Sequence, residues 1–220
     1  YIAESIISLF HKIYSDKYSG PRMEYILRNT IYTAFSVPNA TLFTVYKLLI
    51  NTPFRKSVVK NLTDPNLLDF WKYEFAKAGD YQKVKMISPI TNKIGRFLFS
   101  PTAKRILEQE KSTIDFNQIM NEGKILLCNL SKGKIGEDNS KVLGVVMMAK
   151  LQLASLKRAR MSEDQRRDFY LYVDEFQNFA TPAFAQVLSE ARKYRLAAVL
   201  AHQTTSQLED SSLVNITLAN

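Results

Sequence analysis

The sequence predicts an α/β chain in which an all-helical first part, residues 1–112, precedes a parallel-sheet second part, residues 113–220. Three observations predict it. Residues 169–173, Phe-Tyr-Leu-Tyr-Val, are five apolar or aromatic residues in a row, of strand-favouring types and without a helical period, so they read as a strand buried on both faces. Residues 124–130 and 196–201 are two more short apolar runs, separated from the first by helical segments, and that succession means a parallel, right-handed sheet. Before residue 112 the apolar spacing is helical throughout, and no run qualifies as a strand.

The helical part can be taken in order. Ile2, Ile6, Leu9, Phe10 and Ile13 recur at helical spacing. Gly20-Pro21 breaks the chain, with Pro21 suited to a first helical turn, and Met23, Ile26, Leu27 and Ile31 form the next apolar face. Pro38-Asn39 is a break, Thr41 is a candidate cap for residues 42–50, and Asn51-Thr52-Pro53 ends that helix. Asp64-Pro65 is a cap followed by proline, leading into Leu67, Leu68, Trp71 and Phe75. Residues 84–107 are helical again, with breaks at Pro89 and at Ser100-Pro101. Arg22, in a first helical turn where a cation is disfavoured, is either an interface residue or an ordinary surface arginine.

In the second part, Glu122-Gly123 closes a short helix and residues 124–130 read as a buried strand. Residues 131–139 read as a strand-to-helix loop. It carries Lys132 and Lys134, candidates for touching DNA or a partner subunit, but it does not match G-x-x-x-x-G-K-[ST]. No other stretch does, so the chain lacks the phosphate-binding lysine of such a loop. Residues 142–160 form a long helix, apolar first and basic at its end. Thr181-Pro182 starts a helix carrying Phe184, Leu188 and Ala191, with Arg192, Lys193 and Arg195 at its end. Residues 196–201 are the third strand, and Thr204 and Gln207 have capping-box spacing.

Lys and Arg outnumber Asp and Glu by 30 to 21, a net charge of +9 that favours a polyanionic partner such as nucleic acid. The single cysteine, Cys128, lies in an apolar run and reads as core filling, which excludes a disulfide framework. No stretch approaches eighteen apolar residues, so no transmembrane helix is expected. The chain starts with Tyr1 and shows no signal peptide, and it reads as a segment of a longer protein.

The candidate chemistry sits at strand ends. Asp174 and Glu175 follow residues 169–173 directly, at the sheet edge where ligands of open α/β folds bind. An acidic pair there suits a magnesium–nucleotide site, one carboxylate holding the hydrated metal and the next polarising a water; the alternative is a solvated acidic turn. Gln203, after the next strand, falls at the same edge, positioned to sense a phosphate or the attacking water, or else to cap a helix. Arg192 lies at the far end of a helix of about three turns, roughly 18 Å from Asp174 by helix rise. There it is either an arginine finger for a neighbouring subunit or a cation complementing the helix dipole.

Residues 169–179, then Ser189-Glu-Ala-Arg-Lys-Tyr-Arg-Leu196, then Leu200-Ala-His-Gln-Thr-Thr-Ser-Gln-Leu208, resemble the motor domain of conjugative coupling proteins. These are the TraD/TraG-like members of the HerA–FtsK superfamily, ring ATPases that pump DNA in type IV secretion. Gly20-Pro-Arg-Met-Glu-Tyr-Ile-Leu-Arg-Asn29 and Asn129-Leu-Ser-Lys-Gly-Lys-Ile-Gly-Glu-Asp138 also look like family members. The resemblance implies part of a RecA-like core of P-loop NTPase type over 113–220, with 1–112 as the all-α domain inserted before it. It implies ATP and Mg²⁺ as cofactors, Asp174 and Glu175 as the Walker B pair, Glu175 as the base, Gln203 as sensor and Arg192 as a trans arginine finger. The Walker A loop would lie upstream of Tyr1, leaving this segment alone inactive. Implied partners are DNA, a homo-hexamer, and type IV secretion or relaxosome proteins, at the cytoplasmic face of a membrane reached only through regions outside this segment. Two alternatives stand beside it: a HerA-like or packaging ATPase of another pathway, and a non-catalytic DNA- or protein-recognition module.

Overall fold

The computed structural model describes residues 3–4, 6–7, 20–179 and 188–202. The chain divides into two compact units, Ile2–Ser112 and, with Tyr1, Thr113–Asn220.

Every regular element described in the first unit is helical. Ala3, Glu4, Ile6 and Ile7 are helical, whereas Ile2, Leu9, Phe10 and Ile13 of the same expected helix lie outside the described residues. Helix α1 (Pro21–Ala34) starts at its proline and buries Met23, Ile26, Leu27 and Ile31. Helix α2 (Leu42–Ile50) begins in a reciprocal cap between Thr41 and Thr44. Asn51 ends it and caps α3 (Thr52–Lys60) through Phe54 N–H. From α3, Arg55 donates to the Leu48 and Leu49 carbonyls, closing the end of α2. Asp64 accepts two backbone N–H groups to start α4 (Pro65–Asp69), which runs on as a π-helix over Phe70–Phe75. The wider turn sets Phe70, Trp71 and Phe75 together in the core, and the Trp71 indole donates 2.8 Å to Thr33 Oγ1.

Helix α5 (Asp80–Leu98) continues through Pro89, where the sequence implied a break. Proline there removes one intrahelical bond, a cost of about 3 kcal/mol. Burial of Ile90, Ile94 and Leu98 offsets it, and neighbouring Ser88 and Thr91 hydroxyls donate to the Val84 and Ile87 carbonyls. Ser100 caps α6 (Pro101–Leu107).

The second unit starts with α7 (Phe116–Glu122), capped by Asp115 and ended by Gly123, whose positive φ lets the chain turn back. The segment 124–130 is not a strand. Leu126 and Leu130 touch the core, but Ile125 and Leu127 are 88% and 89% exposed. Cys128 is exposed, not core filling. Apolar content marked this segment as sheet, but no strand among the described residues pairs with it, and five of its seven residues are exposed. The expected loop at 131–139 is instead mostly helix: α8 (Lys132–Ile135), then α9 (Glu137–Lys157), which starts earlier than its apolar face suggested.

Among the described residues the sheet has two strands, β1 (Phe169–Val173) and β2 (Leu196–Leu200), paired in parallel with Val173 opposite Leu200. Helix α9 covers one face, packing Met148, Leu151 and Ala154 towards the strands. Among the described residues no element packs over the other face. Tyr170 and Tyr172 are 60% and 72% exposed, so β1 is half-buried on one face and exposed on the other, not buried on both. β2 alternates in the same way. A continuous apolar run is compatible with either burial, and only the layers packed around the sheet decide.

Candidate functional site

The acidic pair leaves the sheet at its C-terminal edge. Ala201 N–H donates to Val173 O and Phe176 N–H to Ala201 O, both at 2.9 Å, so pairing with β2 runs past Asp174. Glu175 then takes a left-handed conformation, φ 50°. A non-glycine residue there costs about 1–2 kcal/mol. The bend lets Glu175 N–H donate 2.9 Å to Asp174 Oδ1, and a turn over Phe176–Asn178 follows. Phe176 and Phe179 anchor this turn in the core beside Met148 and Leu188.

Two side chains hold the Glu175 carboxylate. Asn178 Nδ2 donates to Oε2 at 2.9 Å, and Lys132 Nζ lies 3.5 Å from the same oxygen. Lys132 also donates 3.3 Å to Asn178 Oδ1, closing a triangle. The sequence offered Lys132 as a contact to DNA or a partner; the structure places its ammonium beside Glu175, because α8 brings it next to the turn. Lys134 is exposed on the same short helix. Asn178 was not singled out from sequence, though its place three residues after Glu175 suits a side chain reaching back across one turn. At the same edge, Gln177 Oε1 and His202 Nδ1 are buried with no hydrogen-bond partner among the described residues.

Among the described residues no group of three or more His, Cys, Asp or Glu side chains converges. A single exposed carboxylate, Asp174, suits a magnesium ion that keeps most of its water and takes its remaining ligands from phosphates, not a closed protein cage.

The other expected residues lie elsewhere. Arg192 is exposed in a turn over Ala191–Tyr194, just before β2 and so at the opposite end of the sheet from Asp174. Five strand residues, about 16 Å, separate the two ends. The helix expected from Thr181-Pro182 and Phe184 falls largely outside the described residues, as do Gln203, Thr204 and Gln207. Arg22 belongs to the helical unit, where its guanidinium lies 3.8 Å from Met86 Sδ.

At the Arg192 end is a cavity of about 450 Å³, lined among others by Glu163, Arg166, Glu190, Arg192, Lys193 and Arg195. Beneath it, Arg158 is buried and donates to the carbonyls of Met120, Arg167 and Tyr194 and to Asn121 Oδ1. Desolvation, followed by the nearby Arg166 charge, pushes its pKa down.

Residues 168–211 match the family model described as the TraM recognition site of TraD and TraG. No curated protein matches the chain, and no solved structure does. No helix among the described residues is long and apolar enough to cross a membrane. The matched segment contains β1, the acidic pair, Arg192 and β2, and this C-terminal part of the chain is coupling-protein-like.

Proposed function

We propose that the chain is part of a conjugative coupling protein: the helical insert and the C-terminal part of a RecA-like, ATP-driven DNA motor acting as a ring. The observation that carries this is the acidic pair, held at the C-terminal edge of a parallel sheet inside a segment that matches a coupling-protein family model. On this reading Asp174 faces a hydrated magnesium ion, whose charge would offset that of the transferred phosphate. Glu175 accepts a proton from the attacking water. Asn178 and Lys132 fix the rotamer of Glu175 so that its oxygen is in place before water arrives, and pre-set geometry of this kind lowers a barrier without covalent chemistry. Arg192, too far from its own pair, serves a neighbouring subunit, and Gln203 senses the phosphate.

The test is DNA-stimulated ATP turnover by the full-length protein. Glu175→Gln should lower turnover by roughly a hundredfold or more while nucleotide binding persists. Turnover equal to wild type rules out the catalytic assignment. DNA affinity should fall steeply with added salt as lysines and arginines release counterions.

A second reading has its own support. The printed description of the matched family is a recognition site, so residues 168–211 also suit a protein-docking module. The two readings share one segment.

A further inference from the structure

We infer that the cavity at the N-terminal end of the sheet is a docking pocket for an acidic peptide segment of a partner protein. The inference rests on the recognition reading above and gives that surface a location and a ligand chemistry.

Four cations, Arg166, Arg192, Lys193 and Arg195, line the cavity against two carboxylates, Glu163 and Glu190. The carboxylates do not neutralise the cations evenly. Glu190 is engaged by Lys193 Nζ at 3.6 Å and by the Tyr194 hydroxyl at 3.1 Å. Arg195 has Asp168 at 3.7 Å. Arg166 spends its guanidinium on the carbonyls of Met161 and Lys193, acceptors that leave its positive charge unbalanced. Arg192 is exposed, and among the described residues it makes no ion pair. The pocket is therefore a positive concavity on a rigid floor, because Arg158 and Arg166 tie the chain before β1 to the turn before β2.

Shape and sign together choose the ligand. A nucleic-acid track is an open basic strip along which successive phosphates lie. This site is a compact cavity of about 450 Å³ with two carboxylates in its wall. Those carboxylates can accept the backbone N–H groups of a peptide, donors that a sugar–phosphate backbone lacks, while Arg192 and Lys193 take its acidic side chains. Arg192, Lys193, Arg195 and Glu190 also fall within the residues matched by the recognition-site family model.

The experiment uses a fluorescent twelve-residue peptide rich in Asp and Glu, a control in which those residues are Asn and Gln, and a single-stranded oligonucleotide of the same charge. The acidic peptide should bind the chain at least tenfold more tightly than the neutral one. Lys193→Glu and Arg192→Glu should each weaken it at least fivefold. Glu163→Gln removes a repelling carboxylate and should tighten it about threefold, a gain that a misfolded variant cannot mimic. Equal or tighter binding of the oligonucleotide, with the same loss in the variants, overturns the peptide assignment. Binding unchanged in all variants overturns the pocket. Photo-crosslinking separates the two layers of the claim. Crosslinks from the acidic peptide to the 174–179 edge keep the recognition reading and remove the pocket, whereas crosslinks confined to Ile2–Ser112 remove both.

Discussion

Lys132 Nζ sits 3.5 Å from Glu175 Oε2, joining a short helix to the far edge of the sheet. Both side chains are more than a third exposed, so the ion pair itself is worth less than about 1 kcal/mol. Lys132→Met should leave thermal stability nearly unchanged. If Glu175 is the base, the same variant should lower ATP turnover of the full-length protein by roughly tenfold through loss of positioning. A large fall in melting temperature would instead make Lys132 a structural residue.

Gly144 of α9 lies under the ring of Phe179. A Cβ at residue 144 would stand 2.1 Å from Phe179 Cδ1 and 2.3 Å from Cε1, well inside contact distance. Gly144→Ala should therefore destabilise the unit by about 1–3 kcal/mol, the usual cost of overpacking. Phe179→Leu combined with Gly144→Ala should cost less than the two single changes summed, measured by urea denaturation as a double-mutant cycle.

Arg158 is 1% exposed and satisfies three backbone carbonyls and one side-chain amide. Arg158→Met should leave those acceptors buried and unpaired, for a loss of about 3–5 kcal/mol. Arg158→Lys should recover little, because an ammonium cannot span the positions reached by a planar fork. Full recovery by lysine in chemical denaturation would show that charge alone matters there.

Asp115 caps α7, its Oδ1 accepting from the backbone N–H groups of Gln118 and Asn117 and from the Asn117 side chain. The Gln118 bond first, then those from Asn117, hold its carboxyl below the usual range. A depressed folded-state pKa adds stability that is present above the unfolded value, near pH 4, and is lost as pH falls through the folded one. Asp115→Asn keeps a capping oxygen and removes that titration. The melting temperature of the variant should therefore fall less than that of wild type between about pH 5 and pH 3.

Local chemistry was legible where one residue settles a local matter. Thr41 and Asp64 can each accept from the start of a helix, and Gly123 suits the left-handed turn that ends one. The strands at Phe169–Val173 and Leu196–Leu200 were visible in their composition. Non-local chemistry was not. Nothing near Lys132 says that its ammonium meets Asn178, and nothing near Pro89 says that its helix continues. The segment 124–130 has the composition of a strand, yet composition does not report whether another layer covers it.

The sequence by itself determined the capped helix starts at Thr41 and Asp64, the stop at Gly123, the two strands and the acidic pair at the end of the first, because caps, breakers and apolar runs act over a few residues. Tertiary structure alone decided which face of the sheet is covered, which side chains hold Glu175, and that Arg158 is buried at the opposite end from it. Those outcomes depend on segments distant in the chain meeting in space, and burial and hydrogen-bond partners are set only when they do.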